Sequence, residues 1–357
     1  MMKRLISMVL IFIMCLNMSA CGSTGNNNTE QKEENTRIFV DDCGREVEIK
    51  KEIHSYVPSG PLAQIITFAI APDEMVGIAS KWYDSASGII GDSYLELPYL
   101  GQLYGSADMN LEELAYVGPE VIIDIGEVKP STESDLETLQ NQTKIPTVFI
   151  SSNVEDMPNT FRKLGELFGK EEKAEELAQF CEKVYERTNK VMEQVGEHKV
   201  KGMFVVGEEG LHVLAKDTFQ AEIFDMLVDN IAVMPNAISK GTGTEVTMEQ
   251  ISIWNPDFIL YGPKSVYVNV KDDVLWNKLD AVKNDSYIEV PEGPHNWMGS
   301  PPAVQQYLGL IWLTAELYPE YCDYDVKEEI MEYYRLFYHC ELTDTQYEQL
   351  IKNALLK

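Results

Sequence analysis

Residues 170–195, KEEKAEELAQFCEKVYERTNKVMEQV, decide how the rest of this chain is to be assembled. Ala174, Leu177, Ala178, Cys181, Val184, Tyr185, Thr188, Val191, Met192 and Val195 return at steps of three and four, an apolar stripe along one side of a helix. The segment contains no Gly and no Pro, so nothing interrupts it. At 1.5 Å per residue such a helix is roughly 40 Å long, more than a crossover inside one small lobe requires. The spacing therefore predicts a spine, with one lobe before it and one after.

On either side of that spine the chain writes one phrase twice: NLEELAYVGPEVIID at residues 110–124 and TMEQISIWNPDFILY at residues 247–261. Asn110 and Thr247 are N-cap residues, and Glu113 and Gln250, three places on, predict capping boxes. Pro119 and Pro256 end the helices, and the apolar runs that follow read as strands buried on both faces. Each copy is thus a helix feeding a parallel strand. Glu112 and Glu249 are left over in the first turns, where at the least they complement the helix dipole.

Working outward, residues 37–49, RIFVDDCGREVEI, alternate around Cys43-Gly44 and predict a hairpin. IHSYVPSG, VGIAS, PEVIIDIG and IPTVFIS, separated by helical patterns such as LAQIITFAIA, argue for a parallel sheet of βαβ units. After the spine, VKGMFVVG, AEIFDMLVD, the second phrase and WNKLDAVKNDSYIEV repeat that grammar. The expected fold is α/β, two parallel-sheet lobes (37–153 and 199–357) joined by a linker (154–198) that contains the spine helix, with a ligand cleft between them. Ligands of such sheets bind outside the carboxyl ends of the strands. That rule nominates Ser59, Gly60, Lys81, Trp82, Tyr83, Tyr104, Glu127, Glu208, Phe219 and Lys264. The loop PEGPHNWMGSPP, residues 291–302, adds His295 and Trp297; a backbone so rich in Pro and Gly should lie at the surface, so Trp297 either caps a small cluster or lines the cleft.

The first residues stand apart from that fold. Lys3 and Arg4 precede a short apolar run, too short to span a bilayer, and the pattern predicts a secretory leader over 1–20. Met18-Ser19-Ala20-Cys21 resembles the bacterial lipobox, which would make Cys21 the acylated residue. Residues 21–36 are polar and charged and read as a disordered tether. Four Cys remain beyond them, with no C-x-x-C to suggest a structural metal site, and the sequence leaves a Cys322–Cys340 disulfide or free thiols equally open.

With 58 acidic against 29 basic residues the chain should repel nucleic acid and anionic lipid. Nucleophile elbows, P-loops, H-E-x-x-H and dinucleotide fingerprints are absent from the sequence, so no catalytic residue is nominated.

DDCGREVEI, VPSG with APDEMVGIA, both copies of the phrase, LGELFGKEEKAEEL, WNKLDAVKNDSYIEVP and LGLIWLTAELYPE together resemble the class III substrate-binding proteins of ABC transporters, the cobalamin- and iron-siderophore-binding family. The resemblance implies a monomeric, non-enzymatic binding protein with no cofactor or metal site of its own, tethered outside the cytoplasmic membrane by a lipid anchor. Its partners would be a small metal chelate and a permease dimer with its ATPase subunits; nucleic acid is not among them. It further implies that Glu112 and Glu249 dock on Arg pockets of the two permease subunits. Aromatic surface with Lys81 and Lys264 suits a bulky chelate, and all six Arg lie outside the proposed loops, which favours a hydroxamate-type chelate, a corrinoid or haem over catecholates. The alternative is a metal ion or a molybdate- or tungstate-type oxyanion; a metal ion would need His54 and His295 to face each other.

Overall fold

The computed structural model of the chain describes residues 35–104 and 108–357, and Thr36–Lys357 make one compact unit. The leader, Cys21 and all but the end of the proposed tether lie outside the described residues. Strands β1 (Thr36–Val40) and β2 (Glu46–Lys50) pair antiparallel as expected, turning at Gly44 with φ +79°. The chain then builds β3 (Tyr56–Pro58), α1 (Pro61–Ile70), the short α2 (Asp92–Leu95), α3 (Leu111–Val117), β4 (Val121–Gly126), α4 (Thr132–Thr143), β5 (Thr147–Ser151) and α5 (Met157–Phe168). β3, β4 and β5 form a three-stranded parallel sheet in that order. VGIAS forms no strand of it: Val76 N–H donates to the Tyr56 carbonyl of β3 at 3.0 Å, and Ile78 makes an isolated bridge to Tyr99.

The spine is one unbroken helix, α6 (Glu171–Val195), which packs on α5. Beyond it come β6 (Lys201–Val206), β7 (His212–Val213), α7 (Glu222–Leu227), β8 (Asp229–Asn230), β9 (Thr244–Glu245), α8 (Met248–Trp254), β10 (Phe258–Tyr261), α9 (Asp280–Lys283), β11 (Tyr287–Glu289), α10 (Gln306–Leu317), α11 (Val326–Phe337) and α12 (Asp344–Leu350). β11, β10, β6 and β8 run parallel, and β7 and β9 extend the sheet antiparallel at the end of β6.

Strand alternation explains how the layers fit. In β4, Val121, Ile123 and Ile125 face a central core that also takes Phe204 of β6 and Leu260 of β10; Ile122 turns outward to a smaller cluster with Leu114 of α3. In the second lobe Met203, Val205 and Ile259 turn outward in the same way and meet Ile251 of α8. The doubled phrase therefore builds the outer layer of each lobe, and Leu114 and Ile251 are the buried residues of those two short helices.

The central core is continuous through both lobes, because α6, α10 and α11 all contribute to it. α11 and the residues just after it, which the sequence assigns wholly to the second lobe, reach back across the linker to the first: Phe337 meets Phe161 of α5 at 5.7 Å between ring centroids, and His339 Nε2, two residues past the helix, contacts the Phe68 carbonyl at 3.1 Å. Phe180, missed in the sequence stripe, is buried on α6 against Phe337. Cys43, Cys181, Cys322 and Cys340 are all free thiols, which decides the open question about Cys322 and Cys340.

The capping boxes are half made. Asn110 accepts from the N–H groups of Glu112 and Glu113 and Thr247 from that of Gln250. The return bond is missing in each; at α3 the Asn110 N–H is already used by the Leu100 carbonyl at 2.7 Å.

Candidate functional site

The carboxyl ends of both parallel sheets open into the space between the lobes, where two cavities are found. A cavity of about 380 Å³ lies at the first lobe, where Ser59 and Gly60 follow β3, Gly126 and Glu127 end β4, and Tyr104 comes from a neighbouring loop. Phe219 and Ser239 of the second lobe close it from the opposite side. The other cavity, about 230 Å³, lies at the ends of β6, β10 and β11, lined by Gly207, Lys264 and Glu292 over an apolar floor of Phe204 and Leu214. Tyr83 of the first lobe reaches into it. Each lobe thus helps to line the other's cavity.

Seven of the nominated residues, Ser59, Gly60, Tyr83, Tyr104, Glu127, Phe219 and Lys264, line these two cavities. Lys81 and Trp82 line a shallower groove that also contains Tyr83 and Lys264. Three nominations are corrected. Glu208 is solvent-exposed and lines neither cavity. Trp297 is a core residue with no exposed surface, packed against Trp312 and donating from Nε1 to the Tyr334 hydroxyl at 3.2 Å. His295 is 3% exposed and sits beneath Trp82 and Tyr83, with ring centroids 5.5 and 5.0 Å away.

Alternation again gives the reason. Glu292 bridges Asn296, and Asn296 bridges Ser300, so this Pro- and Gly-rich loop is extended and sends successive side chains to opposite sides. Glu292, Asn296, Met298 and Ser300 face the cavity while His295 and Trp297 go inward. The loop was found, with the wrong face.

The first-lobe cavity has an ionisable floor that sequence reading passed over. Asp124, in the middle of β4, is buried and accepts a short hydrogen bond from the Ser59 hydroxyl. Burial pushes its carboxyl above the usual range, against the pull of Ser59 and Lys129. The signal was present, since an Asp within VIIDI is a charge inside a run that burial should exclude. Lys129 Nζ stands 4.8 Å from the centre of the Tyr104 ring, a cation–π distance. Gly60 caps α1 without any side-chain hydrogen bond, leaving the helix N-terminus beside the cavity.

In the second-lobe cavity, Lys264 adopts φ +60° and its Nζ lies 3.6 Å from Glu292 Oε2. Burial and the nearby Glu292 raise the Tyr83 hydroxyl. Every Arg of the described residues lies outside both cavities; Arg45, Arg162 and Arg187, for example, are occupied by Asp41, Glu175 and Glu329. His54 is exposed beside Glu52 and precedes β3, at the amino edge of the sheet, so it does not face the buried His295. Among the described residues no group of three or more His, Cys, Asp and Glu side chains could hold a metal ion.

A family model described as periplasmic binding protein matches residues 72–293. The Fe(3+)-citrate-binding protein YfmC of Bacillus subtilis (strain 168) is 25% identical over 296 residues, 79% of this chain and 87% of that protein. An ABC transporter solute binding protein from Sulfurospirillum deleyianum DSM 6946 has the same fold, with a TM-score of 0.80 at 24% identity over 88% of this chain and 99% of that one. The molybdate periplasmic binding protein MolA of Haemophilus influenzae follows with a TM-score of 0.67 at 20% identity, covering 86% of this chain and 99% of its own.

Proposed function

This chain belongs to the periplasmic binding protein family, and we propose that it captures a small ferric chelate between its lobes and delivers it to the permease of an ABC importer. The observation that carries this reading is the crosswise lining, in which Tyr83 enters the second lobe's cavity and Phe219 and Ser239 close the first lobe's. A ligand seated there touches both lobes at once.

The chemistry of the walls narrows the cargo. Lys129 and Lys264 supply positive charge and Asp124, Glu127 and Glu292 supply negative charge, while Tyr83, Tyr104 and Phe219 offer ring faces. Mixed charge suits a chelate whose own ligand groups have offset the metal. The 380 Å³ cavity sits at the small end of the range for small-molecule pockets and the 230 Å³ cavity below it, which favours a ferric citrate or hydroxamate over a corrinoid or haem. The name of the Bacillus relative points the same way. A second reading, a tetrahedral oxyanion, is favoured by the uncapped N-terminus of α1 beside the cavity. The buried Asp124 and nearby Glu127 oppose a bare dianion there, so it is the weaker of the two.

Delivery would use Glu112 and Glu249, both exposed in the first turns of α3 and α8. Acylation at Cys21 would hold the protein on the outer face of the cytoplasmic membrane.

Native mass spectrometry of protein purified from its host, followed by fluorescence titration with ferric citrate, a ferric hydroxamate, haem, cyanocobalamin and molybdate, tests the cargo. A ferric chelate should bind saturably, and Lys264→Met should weaken it about tenfold, the loss of one charge-assisted contact. Saturable binding of molybdate, with none of either ferric chelate, would overturn the reading.

A further inference from the structure

The two copies of the doubled phrase share a second feature beyond their acids. Four residues after Glu112 stands Tyr116, 86% exposed, and four residues after Glu249 stands Ile253, 69% exposed. Residues four apart on a helix lie on one face. Leu114 and Ile251, two places after each acid, are buried in the outer clusters, so the acid and its large apolar companion both point away from the lobe. Among the described residues, neither Tyr116 nor Ile253 belongs to a hydrophobic cluster.

Single exposed apolar residues need no explanation. Two that occupy the same place in an internal repeat, each one turn from an exposed acid, make a pattern. Both helices also begin on the side where the cleft opens: the N-cap Asn110 of α3 donates its N–H to the Leu100 carbonyl, in the segment whose Leu103 N–H donates to the Ser59 carbonyl, and Val246 N–H donates to the Leu211 carbonyl just before α8, beside the carboxyl end of β6.

We propose that Tyr116 and Ile253 are apolar anchors that seat each lobe on one subunit of a two-fold membrane-protein dimer, with each partner subunit offering a hydrophobic pocket beside a basic group. The inference rests on the docking reading of Glu112 and Glu249 and deepens it. The repeat gives the partner its symmetry, and the acids give the sign of its charge. A second copy of this chain fits poorly, because two such faces would bring acid against acid. Acid beside anchor also fits poorly on an anionic lipid surface. The copies are unequal, so Tyr116, with the larger ring, contributes more than Ile253.

The test measures binding of the full-length protein to the purified permease–ATPase complex in nanodiscs. Tyr116→Ser should weaken binding about thirtyfold and Ile253→Ser about tenfold, the range of interface anchors. Melting temperature and affinity for ferric citrate should stay as in wild type, since both side chains are exposed. A photo-crosslinking residue at 116 or 253 should label the permease, and one at exposed Tyr321, which follows Tyr318 at the amino end of β6 on the side away from the cleft, should not. If both Ser variants bind like wild type while Glu112→Gln, Glu249→Gln binds weakly, the anchor inference fails and the docking reading stands. If that Gln double variant also binds like wild type, the docking reading falls as well. Crosslinks to a second copy of this chain, or to lipid alone, would overturn the choice of partner.

Discussion

His295 carries two ring nitrogens into a place where, among the described residues, neither finds a hydrogen-bond partner. Burial alone drives its pKa from the usual 6.5 down to about 4. Below pH 6.5 the unfolded chain takes up a proton that the folded imidazole refuses, so this contribution is fully present above 6.5 and is lost as pH falls towards 4. The loss amounts to about 3 kcal/mol at 1.36 kcal/mol per pH unit. His295→Phe, which keeps an aromatic ring between Trp82 and Tyr83, should flatten the fall in denaturant-measured stability between pH 6.5 and 4 by about that amount. His339, whose pKa burial also lowers, stays in both proteins and leaves a residual slope of the same sign. Equal slopes in the two proteins would show that His295 is not held neutral. At this scale the sequence was half legible. Ser59, Gly60, Tyr104, Phe219 and Lys264 followed from the strand-end rule, whereas Asp124 was hidden inside a strand and His295 and Trp297 were assigned to the wrong side of an extended loop.

The elements were easier to read, because periodicity reports on a whole stripe at once. α6 matches its predicted start to within one residue and ends where predicted, and both copies of the phrase form a helix that ends in a left-handed residue, Gly118 or Asn255, ahead of a Pro and a buried strand. VGIAS failed because a short apolar run does not reveal whether a neighbouring strand exists to pair with it. The half-made caps matter for the acids. Glu113 and Gln250 give no return bond, so α3 and α8 rest on Asn110, Thr247 and one buried side chain each. Glu112→Gln, Glu249→Gln should still cost only a fraction of a kcal/mol in stability. If the two acids dock on the permease as proposed, uptake by cells should fall to a small residue of wild type, because a basic partner left unpaired at a desolvated interface costs about 2–5 kcal/mol. Normal uptake by the folded double variant would return both acids to a helix-dipole role.

For the molecule as a whole, stiffness follows from the number of ties between the lobes. α6 spans them, Tyr307 of α10 ties the second lobe to the linker at the Val154 carbonyl, 2.5 Å away, and Gln346 of α12 donates to the Gly88 carbonyl of the first lobe at 2.9 Å. Small-angle scattering with and without bound chelate should therefore give nearly superimposable profiles, and closure by tens of degrees would contradict the tied arrangement. The return of α11 to the first lobe has a consequence in time as well as in space. Chains are made from the amino end, and α11 follows every strand of both sheets. Until it emerges, Phe68 and Phe161 lack their partners His339 and Phe337, and the earliest part of the molecule cannot finish its own interior. The last helices work as a keystone set after the arch. The final packing of the first lobe is therefore a late event in folding, set by the helices that are made last.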